Sequence, residues 1–315
     1  MDLFFCGTPQ FAVPTLERLV SSGESVRLVL SPPDRPKGRG LGLVASPVKQ
    51  AAIKLGLPIY QPEKIKTNQE LQEKLQHLAP DAIIVVGYGR IIPSWMLQLP
   101  KFGNINLHAS LLPKYRGAAP IQWAIANGEK MTGVTTMKID EGLDTGDILL
   151  QKELAISDDD TSETLAPRLA DIGADLMIET LRGLHDGALQ PRKQDNSQAT
   201  LAPILKKEDG KIDFGRSTQE IYNRFRGFQP WPGAFTTFRG RSLNIMGMKP
   251  VRLDEISNDH LTETQLLMKD SRLFVGCGSN TAIELLELQP EGKKRISARD
   301  FIHGYRPKPG ESVGR

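Results

Sequence analysis

The chain has 315 residues, 39% of them hydrophobic and 24% charged, an ordinary globular balance with room for two domains. No tract is long enough to span a bilayer, and the opening MDLFFCGTPQ lacks the basic stretch of a signal peptide. Cys6 and Cys277 are too few for a disulfide framework or a metal site, so a soluble protein of the reduced cytoplasm is expected. Net charge is only +3, but it is uneven. From Lys206 onward, 19 lysines and arginines face 14 acids, whereas the residues before carry a small acidic excess. That asymmetry points the C-terminal third toward a polyanion.

LFFC (3–6) is a short apolar run of the kind that forms a strand buried on both faces. Thr8 and Pro9 then offer an N-cap and a first-turn proline for a helix with Phe11, Val13, Leu16, Leu19 and Val20 as its apolar stripe, ended by Gly23. VRLVL (26–30) is the next strand. Residues 31–49 read as a long irregular loop carrying Arg35, Lys37, Arg39 and Lys49 against Asp34, a composition suited to phosphate. Ser46-Pro47 opens a helix to about Leu55, and DAIIVV (81–86) and NINLH (104–108) are further strands. Strand and helix alternate, so the sequence predicts βαβ units in a doubly wound, mostly parallel α/β sheet. Ligands bind such sheets beyond the carboxyl ends of the strands.

TGVTTMKID and DILLQKELAI add two strands around a Gly-rich turn, and a long helix runs from the cap at Thr161 to about Leu184. Polar, aperiodic QPRKQDNSQATLAP (190–203) reads as a linker. Beyond it lie a helical piece, STQEIYNRFRGF, and short strand-like runs (AFTTF, SLNIMG, RLFVGC, AIELLEL) that suggest a small β-barrel.

Chemistry concentrates at the end of NINLH. Alternation places Asn106 and His108 on one side of the strand. An amide can donate to a carbonyl oxygen gaining negative charge, and an imidazole exchanges protons near neutral pH. A lone histidine ending a strand is more often structural, but EGLDTGD (141–147) adds Asp144 between two glycines. Asp140, Glu141 and Asp147 compete with it, and spacing does not choose among them. No Gly-x-Ser-x-Gly elbow or nearby cysteine supplies a nucleophile. The set therefore fits acyl or formyl transfer to a substrate amine. In the tail, NRFRGFQPWPGAF interleaves Arg224 and Arg226 with aromatic rings, a pattern that suits nucleic acid and equally a domain interface anchored by buried rings; GKKRISARD adds Lys293 and Lys294 at a turn, where so short a run also fits plain wet surface.

FCGTPQFAVPTLERL, PPDRPKGRG, INLHASLLPKYRGAAPIQWAI, GVTTMKIDEGLDTGDIL, KKEDGKIDF, FQPWPGAF and LQPEGKKRISARDF together span essentially the whole chain. In them the sequence resembles the folate-dependent formyltransferase family, and within it the branch of bacterial methionyl-tRNA formyltransferases. The resemblance implies a Rossmann-like formyltransferase domain over residues 1–189, a linker over 190–205 and an OB-like tRNA-binding barrel over 206–315. It implies an enzyme that moves a formyl group from 10-formyltetrahydrofolate to the α-amino group of methionyl initiator tRNA, as a cytoplasmic monomer without a metal. By carry-over, Asn106, His108 and Asp144 match the catalytic positions, with Asp144 orienting the imidazole. Ser110, Leu111, Leu112 and Pro113, with Gly87, Tyr88, Gly89 and Ile91, match the folate-lining segments. Arg35, Lys37, Arg39 and Lys49, and in the tail Lys206, Lys207, Arg224, Lys293 and Lys294, are the expected RNA contacts. Rival acceptors are a sugar-nucleotide amine, a glycinamide amine, or water in a formyltetrahydrofolate hydrolase; the basic tail argues for tRNA.

Overall fold

Every residue of β1 (Asp2–Gly7) except Asp2 is buried, because the strand pairs in parallel on both edges and is covered on both faces. A computed structural model of the chain describes residues 1–37, 42–256, 261–308 and 310–314. After β1 a short 3-10 turn leads into α1 (Val13–Ser21), which opens later than the sequence predicts, with Pro14 in its first turn. Thr8 does not cap it. Its hydroxyl instead donates to the Tyr88 carbonyl at 3.0 Å, tying the turn after β1 to the loop at 87–89.

Next come β2 (Ser25–Leu30), β3 (Arg35–Lys37) and β4 (Gly42–Val44), so the stretch expected to be irregular holds an antiparallel hairpin. Helix α2 (Pro47–Lys54) starts as predicted, Ser46 Oγ accepting from the Lys49 N–H at 3.1 Å. Then follow β5 (Ile59–Tyr60), α3 (Gln69–Leu78), β6 (Ala82–Val86), α4 (Ser94–Leu97), β7 (Asn104–His108), α5 (Pro120–Ala126), β8 (Met131–Lys138), β9 (Ile148–Ala155) and α6 (Ser162–His185). Among the described residues one seven-stranded sheet has the order β5-β2-β1-β6-β7-β8-β9. The first five strands are parallel, and β8 and β9 return antiparallel. The order reverses direction between β1 and β6, which makes their carboxyl ends the crevice of a doubly wound sheet. β7 lies one strand away.

Burial decides which way β7 faces. Gly173 of α6 sits against Leu107, so close that a Cβ there would lie 2.7 Å from a Leu107 methyl carbon. On the opposite face Asn104 donates to the carbonyls of Met96 and Leu97 at the end of α4. Asn106 and His108 belong to that second row, as the alternation requires.

The chain divides into two compact units: Met1–Pro120, Met131–Ala155 and Leu165–Pro203 in one; Ile121–Lys130, Ile156–Thr164 and everything from Ile204 in the other. This departs from a cut at 189–206 in two ways. Two short inner segments fold with the C-terminal part, and the stretch expected as a linker is bonded to the first unit. Arg192 and Ile148 exchange backbone bonds at 2.8 Å, and Arg116 pairs with Thr200 and Ala202.

In the second unit α7 (Thr218–Gly227) is opened by a Ser217–Glu220 capping box. Strands β10 (Ala234–Phe238), β11 (Arg241–Val251), β12 (Leu266–Lys269), β13 (Arg272–Cys277), β14 (Thr281–Pro290) and β15 (Ile296–Ser297) precede α8 (Ala298–Tyr305). They form an antiparallel sheet ordered β10-β11-β14-β13-β12, with β15 on β14. The C-terminal residues join its two edges: Val313 bridges Phe238 and Ser312 bridges Gln265. Phe238, Leu243, Leu273, Leu285 and Phe301 are among its core residues. Among the described residues no helix is long and apolar enough to cross a membrane.

Candidate functional site

Asn106 and His108 end β7 at the carboxyl edge of the sheet. Asn106 is half-buried, and among the described residues its side-chain amide has no hydrogen-bond partner, so it is available to a ligand. His108 is 6% exposed. Its Nε2 lies 2.9 Å from the Tyr115 carbonyl oxygen. A carbonyl only accepts, so Nε2 carries a proton, and whenever the ring is neutral its lone pair is at Nδ1. Nδ1 faces Asp144 Oδ2 at 3.6 Å, longer than a hydrogen bond. Ring orientation thus comes from Tyr115, where the sequence predicts Asp144.

The Asp144 turn is built from its own residues. Asp140 Oδ1 accepts from the Gly142 N–H at 3.0 Å and from the Thr145 hydroxyl at 2.7 Å, which employs that carboxylate in the turn. Asp147 faces Lys193, and Glu141 is exposed. Of the four acids in the turn, Asp144 is the one the structure brings to His108. Its Oδ2 also accepts from the Gly117 N–H at 2.8 Å. Gly146 is required here, since a Cβ would overlap the Lys138 carbonyl oxygen.

The turn after β7 is held from β8 and β9. Thr135 Oγ1 donates to the Ser110 carbonyl at 2.6 Å and accepts from the Leu112 N–H at 3.1 Å, while Gln151 donates to the Leu112 carbonyl at 2.9 Å. In the structure Tyr115 and Gly117 touch His108 and Asp144 through backbone atoms, which leave no residue-type signature in a sequence. Thr135, Gln151 and Gln194 likewise lie too far along the chain for any local pattern to connect them to the site.

The expected folate residues separate into two groups. Leu111 and Pro113 are half-buried at the edge, but Ser110 is fully buried with its hydroxyl donating to the Lys114 carbonyl, and Leu112 packs on Met137 and Ile148. Gly87 and Gly89 have φ of +55° and +73°, and Ile91 is 92% exposed. Tyr88 turns inward instead. Its ring lies in the core with Phe4, Cys6 and Met96, its hydroxyl has no partner among the described residues, and burial pushes both it and the Cys6 thiol well above their ordinary pKa values. Such a side chain is packing, and only its backbone reaches the edge.

The expected RNA residues also separate. Arg35 is exposed on β3, Lys37 ends that strand, and Arg39 lies outside the described residues. Lys49 is paired with Asp34 at 2.7 Å. Lys206, Lys207, Lys293 and Lys294 are exposed. Arg224 is not a free cation: its guanidinium lies over the rings of Trp123 and Phe228, and burial lowers its pKa. A cleft of about 470 Å³ in the second unit, lined by Thr218, Arg252, Asp254 and Asn280, contains none of the residues expected at the site. Among the described residues no three His, Cys, Asp or Glu side chains are grouped to hold a metal ion.

The sequence matches the Formyl transferase family over residues 2–181 and the Formyl transferase, C-terminal domain family over residues 204–306. It is 62% identical over 315 residues to the methionyl-tRNA formyltransferase of Koribacter versatilis, covering 100% of this chain and 99% of that protein. It is 57% identical over 314 residues to the methionyl-tRNA formyltransferase of Acidobacterium capsulatum, covering 100% of each. An N-formyltransferase from Helicobacter canadensis, solved with folinic acid and dTDP-3-aminofucose, has a TM-score of 0.66 at 19% identity, over 91% of this chain and 98% of that one. That last likeness is one of fold.

Proposed function

The chain belongs to the formyl transferase family, and on that premise we propose that it formylates the α-amino group of methionyl initiator tRNA at the expense of 10-formyltetrahydrofolate. One observation carries the chemistry: an Asn106 amide without a partner among the described residues, two residues from a histidine whose Nδ1 faces a carboxylate, with the neighbouring Ser110 and Thr135 hydroxyls both committed to backbone carbonyls. Such a set suits a reaction in which the substrate brings the nucleophile. It also fits a formyl group, whose single carbonyl oxygen needs a donor and whose attacking amine needs a base.

Bound folate supplies the formyl carbon and, in N10, the leaving group. As the amine nitrogen bonds to that carbon, the carbonyl electron pair moves to oxygen, and the Asn106 amide donates to it. One such donor is worth roughly 2.7–4 kcal/mol in other enzymes. The proton lost by the amine goes to His108 Nδ1. The resulting imidazolium lies 3.6 Å from Asp144, an attraction of about 5 kcal/mol between unit charges at an effective dielectric near 20, before desolvation. Breaking the bond to N10 completes the transfer, and the proton held on Nδ1 neutralises the leaving nitrogen. Tyr115 keeps the second nitrogen occupied, so a single ring atom handles the proton in both directions.

Full-length identity to methionyl-tRNA formyltransferases favours tRNA over a sugar amine as acceptor. We assign RNA contact to Arg35, Lys206, Lys207, Lys293 and Lys294, the exposed members of the expected set. His108→Ala is expected to lower formylation of charged initiator tRNA by about 10²–10⁴-fold while folate and tRNA still bind. Near-normal turnover in a single-turnover assay would reject the role. Running charged elongator methionine tRNA beside it, and measuring amine-free formate release, separates the tRNA reading from its rivals.

A further inference from the structure

The geometry points to Gln194 as a positioning residue that sets the His108–Asp144 distance by joining the two loops that hold them. This rests on the reading of Asn106, His108 and Asp144 as the transfer site. Gln194 lies in the aperiodic stretch 190–203, which packs on the first unit as a strap. Its half-buried side chain uses its full hydrogen-bonding capacity. Nε2 donates to the Asp144 carbonyl and to the Gly146 carbonyl, both at 2.8 Å. Oε1 accepts from Arg116 Nε at 3.1 Å and Nη2 at 2.7 Å.

Arg116 is the residue between the two backbone groups that touch the site. On one side Tyr115 gives its carbonyl to His108 Nε2, and on the other Gly117 gives its N–H to Asp144 Oδ2. The contacts therefore close a ring: His108, Tyr115, Arg116, Gln194, Asp144 and back to His108 Nδ1. Arg116 is 7% exposed, and its guanidinium bonds to two side-chain amide oxygens, of Gln194 and Asn196. Among the described residues no carboxylate pairs with it, so it does not compete for Asp144.

Fastening the strap does not need Gln194. Tyr115 N–H donates to Thr200 Oγ1, Arg116 N–H to the Thr200 carbonyl, Ala202 N–H to the Arg116 carbonyl and Ala119 N–H to the Ala202 carbonyl. Those bonds hold the strap to the loop at 113–119, but none reaches the turn bearing Asp144. Lys193 faces Asp147 of that turn and Gly117 bonds the Asp144 carboxylate directly, but the Gln194 side chain bonds both Arg116 and the Asp144 backbone at once.

Two variants separate positioning from fastening. Gln194→Ala loses both halves of the contact. Gln194→Glu keeps an oxygen for Arg116, gaining an ion pair there, but has no N–H for the Asp144 and Gly146 carbonyls. Both are expected to lower kcat by about 10–10²-fold, the scale of a small misplacement of reacting groups, with KM for folate and tRNA unchanged. The melting temperature of each variant and its retained KM for folate and tRNA show that the protein is folded at the assay temperature, so the loss of kcat is not unfolding. Parental kcat in Gln194→Glu, or a loss confined to KM, would overturn the proposal. His108→Ala is assayed alongside. If it stays active, the site reading fails whatever Gln194 does; if it is inactive while the Gln194 variants keep kcat, only the positioning role fails.

Discussion

At φ +53° Asp144 occupies left-handed backbone, a conformation that asparagine and aspartate tolerate better than other side chains. Strain of this kind costs on the order of 1–3 kcal/mol and persists only where surrounding bonds enforce it. Here the Gly117 N–H on Oδ2 and the Gln194 amide on the carbonyl do so. Asp144→Asn is therefore a clean probe. Asparagine accepts the same backbone conformation and the same bond from Gly117, so charge is what disappears from beside Nδ1. It is expected to lower kcat by about 10²–10⁴-fold with little change in melting temperature. Asp140→Asn keeps the oxygen that accepts from Gly142 and Thr145, and near-parental kcat is expected of it. Equal losses in both would mean that the turn's shape, not the Asp144 charge, matters. Asn106 and His108 were legible in the sequence because alternation along a strand is local. The residues alone left four acids open, since the choice depends on a backbone angle and on a loop 27 residues earlier. Tyr115 was not legible as the group that orients His108, because a carbonyl belongs to every residue.

Residues 310–314 close the sheet of the second unit, and an ion pair pins them. Arg239, after β10, donates to Glu311 through Nε at 2.6 Å and Nη2 at 3.0 Å, and the Lys308 N–H donates to the same carboxylate at 2.9 Å. The Arg239 guanidinium, with Lys308, lowers the Glu311 pKa from 4.5 to about 2. A carboxylate held down in the fold stabilises it fully above its unfolded value, and that contribution is lost as pH falls through the folded value. Between pH 4.5 and about 2, then, the parent loses stability that Glu311→Gln never had. Arg239 is about half exposed, so solvent screening keeps the gap at pH 7 small. Melting the two proteins at pH 7 and pH 2 tests this; a gap that does not narrow on acidification removes the pair from the account. Burial also explains what could be read at this scale. β1 and β6 are runs of mostly apolar residues buried along their length, and β7 alternates, so these strands announced themselves. The β3–β4 hairpin and two-residue β5 are too short for periodicity, and closure by residues 311–314 joins Val313 to Phe238 and Ser312 to Gln265, positions far apart in the chain.

Across the whole molecule, the basic surplus of the C-terminal third is smaller in effect than in count. Arg216, Arg239, Lys249, Arg252, Arg272 and Arg295 are each ion-paired to acids of the same unit, and Arg224 lies over aromatic rings. Lys206, Lys207, Lys293 and Lys294 are exposed and, among the described residues, not ion-paired. A cation already facing a carboxylate releases fewer counterions when it meets a phosphate, so the free lysines should dominate the salt dependence of tRNA binding. Replacing Lys293 and Lys294 together by Gln is expected to reduce the slope of log affinity against log salt by about 1.4–1.8, at 0.7–0.9 per phosphate contact. Arg224→Gln is expected to leave the slope alone and lower the melting temperature instead, because it strips a half-buried guanidinium from Trp123 and Phe228. Titrating tRNA binding between low and physiological salt distinguishes the two. If the double lysine variant keeps the parental slope, phosphate contact lies elsewhere on the chain, and the hairpin bearing Arg35 becomes the next place to look.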